Sequence, residues 1–168
     1  FIADIGGAIT SIIDEISDVV GNAVTVTPAA LAAIAGNVVL QAGRHMRFSN
    51  DVVLTRPGQS LSATVDTWTQ TDPAGTPPNR MDIAANITTA GGAVNLRAPS
   101  IQSFNTPTIS TKGSGAAGAA IALITDNAIN ATSLALDAGS GAINLTAGVA
   151  TPDGFDGIRT NMLAGAGV

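Results

Sequence analysis

The chain has 168 residues, 45% of them hydrophobic, only 11% charged and 3% aromatic, with a net charge of −5 and no cysteine. That length holds one domain with a sizeable core, which must be filled by Ala, Val, Ile and Leu rather than by large rings. The acidic balance and scattered cations argue against a nucleic-acid partner, the missing cysteines exclude disulfides and thiolate metal sites, and no run of 18 apolar residues offers a transmembrane helix.

Residues 1–22 read differently from the rest. Ile2, Ile5, Ile9, Ile12, Ile16 and Val19 recur at steps of three and four, with Asp4, Asp14, Glu15 and Asp18 off that stripe. This spacing predicts an amphipathic helix closed by Gly21-Asn22. Its β-branched stripe and the Gly6-Gly7 pair favour the rival reading, an opening rung of a β-stack. Such a helix would cap a β-stack or self-associate. With acids and no Lys or Arg on its polar face, it does not suit a membrane surface.

Residues 23–66 read as short strands and tight turns. Residues 24–27 alternate, and residues 29–35, almost wholly small and apolar, are expected as an interior strand. Strands are expected next at 38–41, 46–48, 52–55 and 61–65, punctuated by Gly43, Asn50 and Pro57-Gly58. Residues 66–82 are the one large excursion: Thr71-Asp72-Pro73-Ala74-Gly75-Thr76-Pro77-Pro78-Asn79 is a run of loop formers, and the only Trp, Trp68, lies just before it.

Residues 83–150 carry the clearest repetition. Gly141-Ala142-Ile143-Asn144-Leu145-Thr146-Ala147-Gly148 restates Gly92-Ala93-Val94-Asn95-Leu96-Arg97-Ala98-Pro99, and Gly36-Asn37-Val38-Val39-Leu40-Gln41-Ala42-Gly43 is a looser copy. In each, two aliphatics two places apart face the same side of a strand. Val38 and Leu40, Val94 and Leu96, Ile121 and Leu123, and Ile143 and Leu145 are therefore the expected repeat core. Ile87-Thr88-Thr89-Ala90-Gly91 returns 22 positions on as Ile109-Ser110-Thr111-Lys112-Gly113, and Gly36 to Gly58 is again 22. Gly58 to Gly92 is 34, one repeat plus the 66–82 insertion. A period in the low twenties built from strands and turns predicts an all-β fold, a parallel β-solenoid over residues 23–168, with 1–22 as a cap or assembly segment. Gly113 to Gly118 reads as a flexible turn, and the recurrent Asn residues suit left-handed corners and ladders between rungs.

The residues that carry chemistry are sparse. His45 is the only histidine, which makes a structural zinc site and a Ser-His-Asp triad improbable, and no metal or cofactor is expected. Asp153-Gly154-Phe155-Asp156-Gly157 lacks the ligand series of an EF-hand and reads as a turn. Trp68, Asp66 and Asp72 are the candidate contacts for a glycan or protein partner, because solenoid insertions project as loops. Asp66, Asp72 and Asp82 near that loop also raise an alternative, a polysaccharide-cleaving β-helix working with two carboxylates. A third reading, ice binding, needs a regular Thr face, and the Thr pairs do not recur at one constant offset.

The phrases from Gly36 to Arg44, from Ile87 to Leu96 and from Leu136 to Gly148 resemble the repeats of filamentous-haemagglutinin-type exoproteins. The resemblance covers about residues 23–150. It implies a right-handed parallel β-helix of three-sided coils outside a Gram-negative cell, serving adhesion, biofilm or fibre formation. It also implies that both ends of this chain are cuts within something longer, and it carries no catalytic residue across. The expected function is structural: a rod segment of an extracellular bacterial surface protein, able to join with copies of itself and to meet cell-surface glycans or proteins.

Overall fold

The computed structural model describes residues 11–15, 26–66, 79–131, 133–148, 157–160 and 163–165. Strand β1 (Ser11–Glu15) is followed by α1 (Pro28–Ala33), the one α-helix among the described residues. The strands then come in threes. The first triplet is β2 (Val38–Ala42), β3 (His45–Phe48) and β4 (Val52–Leu54). The second is β5 (Leu61–Val65), β6 (Arg80–Ile83) and β7 (Ile87–Thr89). The third is β8 (Val94–Ala98), β9 (Ile101–Ser103) and β10 (Thr108–Ser110). The fourth is β11 (Ile121–Thr125), β12 (Ala128–Ala131) and β13 (Leu134–Asp137), and the fifth is β14 (Ile143–Thr146), β15 (Gly157–Thr160) and β16 (Leu163–Gly165).

β1 and the first members of the triplets form one sheet, β1-β2-β5-β8-β11-β14; second members form β3-β6-β9-β12-β15; third members form β4-β7-β10-β13-β16. All pairings between these strands, among the described residues, are parallel. The chain visits three parallel sheets in rotation, an arrangement consistent with an all-β parallel β-helix.

Period-two alternation explains the interior. In the first sheet Val38, Leu61, Val94, Ile121 and Ile143 share one row, and Leu40, Ala63, Leu96, Leu123 and Leu145 share the next but one. Both rows point inward, and Leu61, Val94, Leu96, Ile121 and Leu123 are wholly buried. The eight repeat-core residues expected from the sequence therefore stack on one another. Ile143 and Leu145, on the last strand of the row, are only half-buried.

Corners are built from small residues and side-chain oxygens. A Cβ on Gly92 would fall 1.9 Å from the Gln59 carbonyl oxygen, so the corner before β8 approaches its neighbour too closely for any other residue. Asn105 takes φ 61, the left-handed corner expected of asparagine. Asp51 Oδ1 accepts from the Asn86 N–H at 2.9 Å, and Asn86 Oδ1 accepts from the Thr108 N–H at 2.9 Å, a ladder running from one triplet to the next. The Gly113–Gly115 segment, expected as a flexible turn, is a tight turn with Ser114 at φ 58 and Gly115 at φ 74, both left-handed.

Three expectations need correction. Residues 11–15, inside the expected amphipathic helix, form β1 and pair in register with β2, Ile13 opposite Leu40. The β-branched residues decided the matter: they suit a pleated surface, and β2 offered an edge to extend. The rest of 1–22 lies outside the described residues. Residues 29–35, expected as an interior strand, contain α1 instead. Thr27 caps it, its Oγ1 accepting from the Ala30 N–H at 3.2 Å, and Pro28 supplies the preset φ of a first turn. Leu31 buries its side chain and the helix packs against β4. The Gln59 amide then ties the helix exit to the second triplet, donating to the carbonyls of Ile34 at 2.8 Å and Gly36 at 2.6 Å.

The third correction concerns the insertion and the period. Residues 80–82, placed in the loop by the sequence, belong to β6, so the excursion ends at Asn79. Down the first sheet the register steps from Val38 to Leu61, Val94, Ile121 and Ile143 are 23, 33, 27 and 22 residues, so a repeat near 22 holds for only part of the chain.

Candidate functional site

Among the described residues, the densest group of charged side chains lies at the β3–β6 edge of the second sheet. The register pairs His45 with Arg80, Met46 with Met81, Arg47 with Asp82 and Phe48 with Ile83. Met81, Phe48 and Ile83 are buried in the core. Alternation therefore sends His45, Arg47, Arg80 and Asp82 to the outer face.

Asp82 is nevertheless only 1% exposed. A carboxylate held away from water needs compensation from charge and hydrogen bonds. Arg80 Nη2 donates to Asp82 Oδ2 at 3.3 Å, and Arg80 Nε lies 2.9 Å from Asp82 Oδ1. His45 Nε2 lies 3.0 Å from Asp82 Oδ2, with its side chain 35% exposed. An N–H on Nε2 donates to the carboxylate at that distance. The Arg80 backbone N–H donates to the Arg44 carbonyl at 3.0 Å, which brings a third arginine to the same corner. Arg47 stands over the ring of Phe104 at 6.0 Å from its centroid, a cation–π contact on the surface. Phe104 is one of two large apolar side chains exposed among the described residues.

The sequence-derived contacts fare unequally. Asp66 is exposed at the end of β5, and its N–H donates to the Ala42 carbonyl at 2.9 Å, so it sits at the corner just before Arg44. Trp68 and Asp72 lie outside the described residues. Asp82, grouped with Asp66 and Asp72 as a possible carboxylate set, is instead tied up in the ion cluster with Arg80 and His45. The Asp153–Gly157 turn also lies outside the described residues, except that Gly157 opens β15. Thr89, one of the Thr pairs, is buried and donates to the Gly92 carbonyl, which removes it from any outer Thr face.

Sequence reasoning described the seven cations as scattered and missed this cluster. A signal was present: His45-Met46-Arg47-Phe48 and Arg80-Met81-Asp82-Ile83 are the same polar-Met-polar-apolar phrase. The insertion between them displaced the copy to 35 positions, so it fell outside the period being sought.

Among the described residues no group of three or more His, Asp or Glu side chains is placed to hold a metal ion, and no helix is long and apolar enough to cross a membrane. Searches with family models, against curated proteins and against solved structures find no match to this chain.

Proposed function

We propose that this chain is a rod segment of an extracellular bacterial surface protein of the filamentous-haemagglutinin type, wound as a right-handed parallel β-helix. The observation that carries the reading is the pair of inward rows Val38-Leu61-Val94-Ile121-Ile143 and Leu40-Ala63-Leu96-Leu123-Leu145, which hold register across the insertion. A fold whose core is a stack of equivalent rows makes a stiff element of adjustable length, since adding a triplet adds one layer to each sheet. The right-handed winding is supported by the strong preference of parallel crossovers for that hand. The extracellular placement rests on the resemblance of the repeats at Gly36–Arg44, Ile87–Leu96 and Leu136–Gly148.

The test is made on the whole protein in its own cells. Antibodies raised against this chain are expected to label unpermeabilised cells, and cells carrying Leu96→Asp in the whole protein are expected to lose both labelling and adherence. Labelling seen only after permeabilisation overturns the reading.

A further inference from the structure

The outer row of the second sheet runs Arg47, Asp82, Gln102 and Asn130. It lies back to back with the buried row Met81, Ile101 and Ile129. The other two sheets present quite different outer rows: Val39, Ser62, Asn95, Ala122 and Asn144 on the first, Val53, Thr88, Ser110 and Asp137 on the third. Two of their cations lie beside acids, Arg97 by Asp126 at 3.8 Å and Lys112 by Asp137 at 3.6 Å, while Arg56, exposed in the turn after β4, has neither a described acid nor a ring beside it. Arg47 differs. Among the described residues its close partner is the exposed ring of Phe104, and no carboxylate lies within ion-pair distance of it.

Three features therefore share one face. The first is a guanidinium with no paired acid among the described residues. The second is a surface aromatic ring beside it. The third is a line of planar amides, Gln102 and Asn130, half-buried and making no side-chain hydrogen bond to another described residue. Neighbouring strands in a sheet stand about 4.8 Å apart, so the row offers one polar group per layer along the rod.

We infer that this face binds an acidic polysaccharide whose sugars carry carboxylates. A guanidinium recognises a carboxylate through paired N–H donors, and the same corner already holds one carboxylate, that of Asp82, between Arg80 and His45. The ring of Phe104 offers an apolar surface to the C–H face of a sugar, and the Gln102 and Asn130 amides donate to and accept from hydroxyls. A row repeated from layer to layer suits an extended polymer rather than a small molecule, which would be gripped in a concave pocket. The inference concerns one face of the chain and stands whether or not the whole protein is a surface rod.

The experiment is binding of the purified full chain to polygalacturonate by calorimetry, with dextran, heparin and polyglutamate as comparators. Polygalacturonate is expected to bind, more weakly as salt is raised. Arg47→Ala is expected to bind about tenfold more weakly, the loss of one charge-assisted contact. Phe104→Ala and Gln102→Ala are expected to weaken binding as well, while Arg97→Ala, on the first sheet, leaves it unchanged. Each variant's far-UV circular dichroism and melting curve are compared with the parent, and Gln102→Ala keeps the test open if Arg47→Ala misfolds. Equal binding of polyglutamate overturns the sugar recognition, and equal binding of dextran overturns the role of charge. Tighter binding of heparin replaces carboxylate with sulfate as the recognised group and overturns the assignment. Equal losses in Arg47→Ala and Arg97→Ala, or no binding of polygalacturonate at all, overturn the site.

Discussion

Asp82 shows how one residue changes meaning when its neighbours are known. Read in sequence it stands near a Pro-rich loop with Asp66 and Asp72, and its carboxylate suggests chemistry. In the fold it is buried and held by Arg80 and His45. Replacing it by Asn leaves Arg80 and His45 facing a neutral amide. Both partners remain partly exposed, so water recovers some of the loss. Asp82→Asn is therefore expected to lower stability by about 1–3 kcal/mol, the range for stranding a hydrogen-bonded charged partner, measured as a shift in urea midpoint at constant slope. An unchanged midpoint would show that the cluster contributes nothing to folding. Loss of any cleavage activity in that variant would thus be ambiguous between chemistry and folding. Asp66→Asn, at an exposed corner, separates the two. The sequence held the alternation around Met46 and Met81, but not that the strands carrying it are neighbours, because pairing across an insertion depends on the whole winding.

At the scale of elements, two segments exchanged identities. Residues 11–15 carry a helix-like stripe and form a strand; residues 29–35 look like a strand interior, and most of them lie in the helix Pro28–Ala33. In the first case tertiary pairing outweighed periodicity, since a parallel edge satisfies every second backbone group of an extended segment. In the second, local signals were strong and went unread: Thr27 before Pro28 is a helix start, and four alanines with Leu31 make a good helix. The helix lies against β4, the terminal strand of the third sheet, where it shields an otherwise open edge. Thr27→Ala removes the cap and is expected to cost about 1 kcal/mol. The loss should be local, appearing first as faster amide exchange at Ala30 and Val52 while the amides of β8 and β11 keep their protection. Uniform acceleration through all three sheets would mean that α1 is integral to global folding rather than a cover at one end.

For the whole molecule, the sequence carried the stacking principle but not its spacing. The repeat core was legible because Val94-Asn95-Leu96 and Ile143-Asn144-Leu145 are nearly identical words, whereas the steps of 33 and 27 residues arise at corners, where length is free as long as the next strand returns to its row. Leu61-Ser62-Ala63 carries Ala63 where those words carry Leu, and it is the strand that must bridge the insertion to reach β8. The chain has no cysteine, so a designed pair can test that junction without interference. Ser62 and Asn95 are register partners on the outer face of adjacent parallel strands. Their separation, about 5 Å between neighbouring strands, falls within the range a disulfide spans. Ser62→Cys with Asn95→Cys is expected to oxidise in air to a single intrachain disulfide, seen as a loss of two mass units on the intact chain and of free thiol, and to raise the melting temperature. Val39→Cys with Asn95→Cys places the thiols two strands apart, about 10 Å, too far to bridge without moving the backbone. That pair is expected to stay reduced. If the second pair closes and the first does not, β5 does not lie between β2 and β8, and the inward rows that carry the rod reading are broken at their middle.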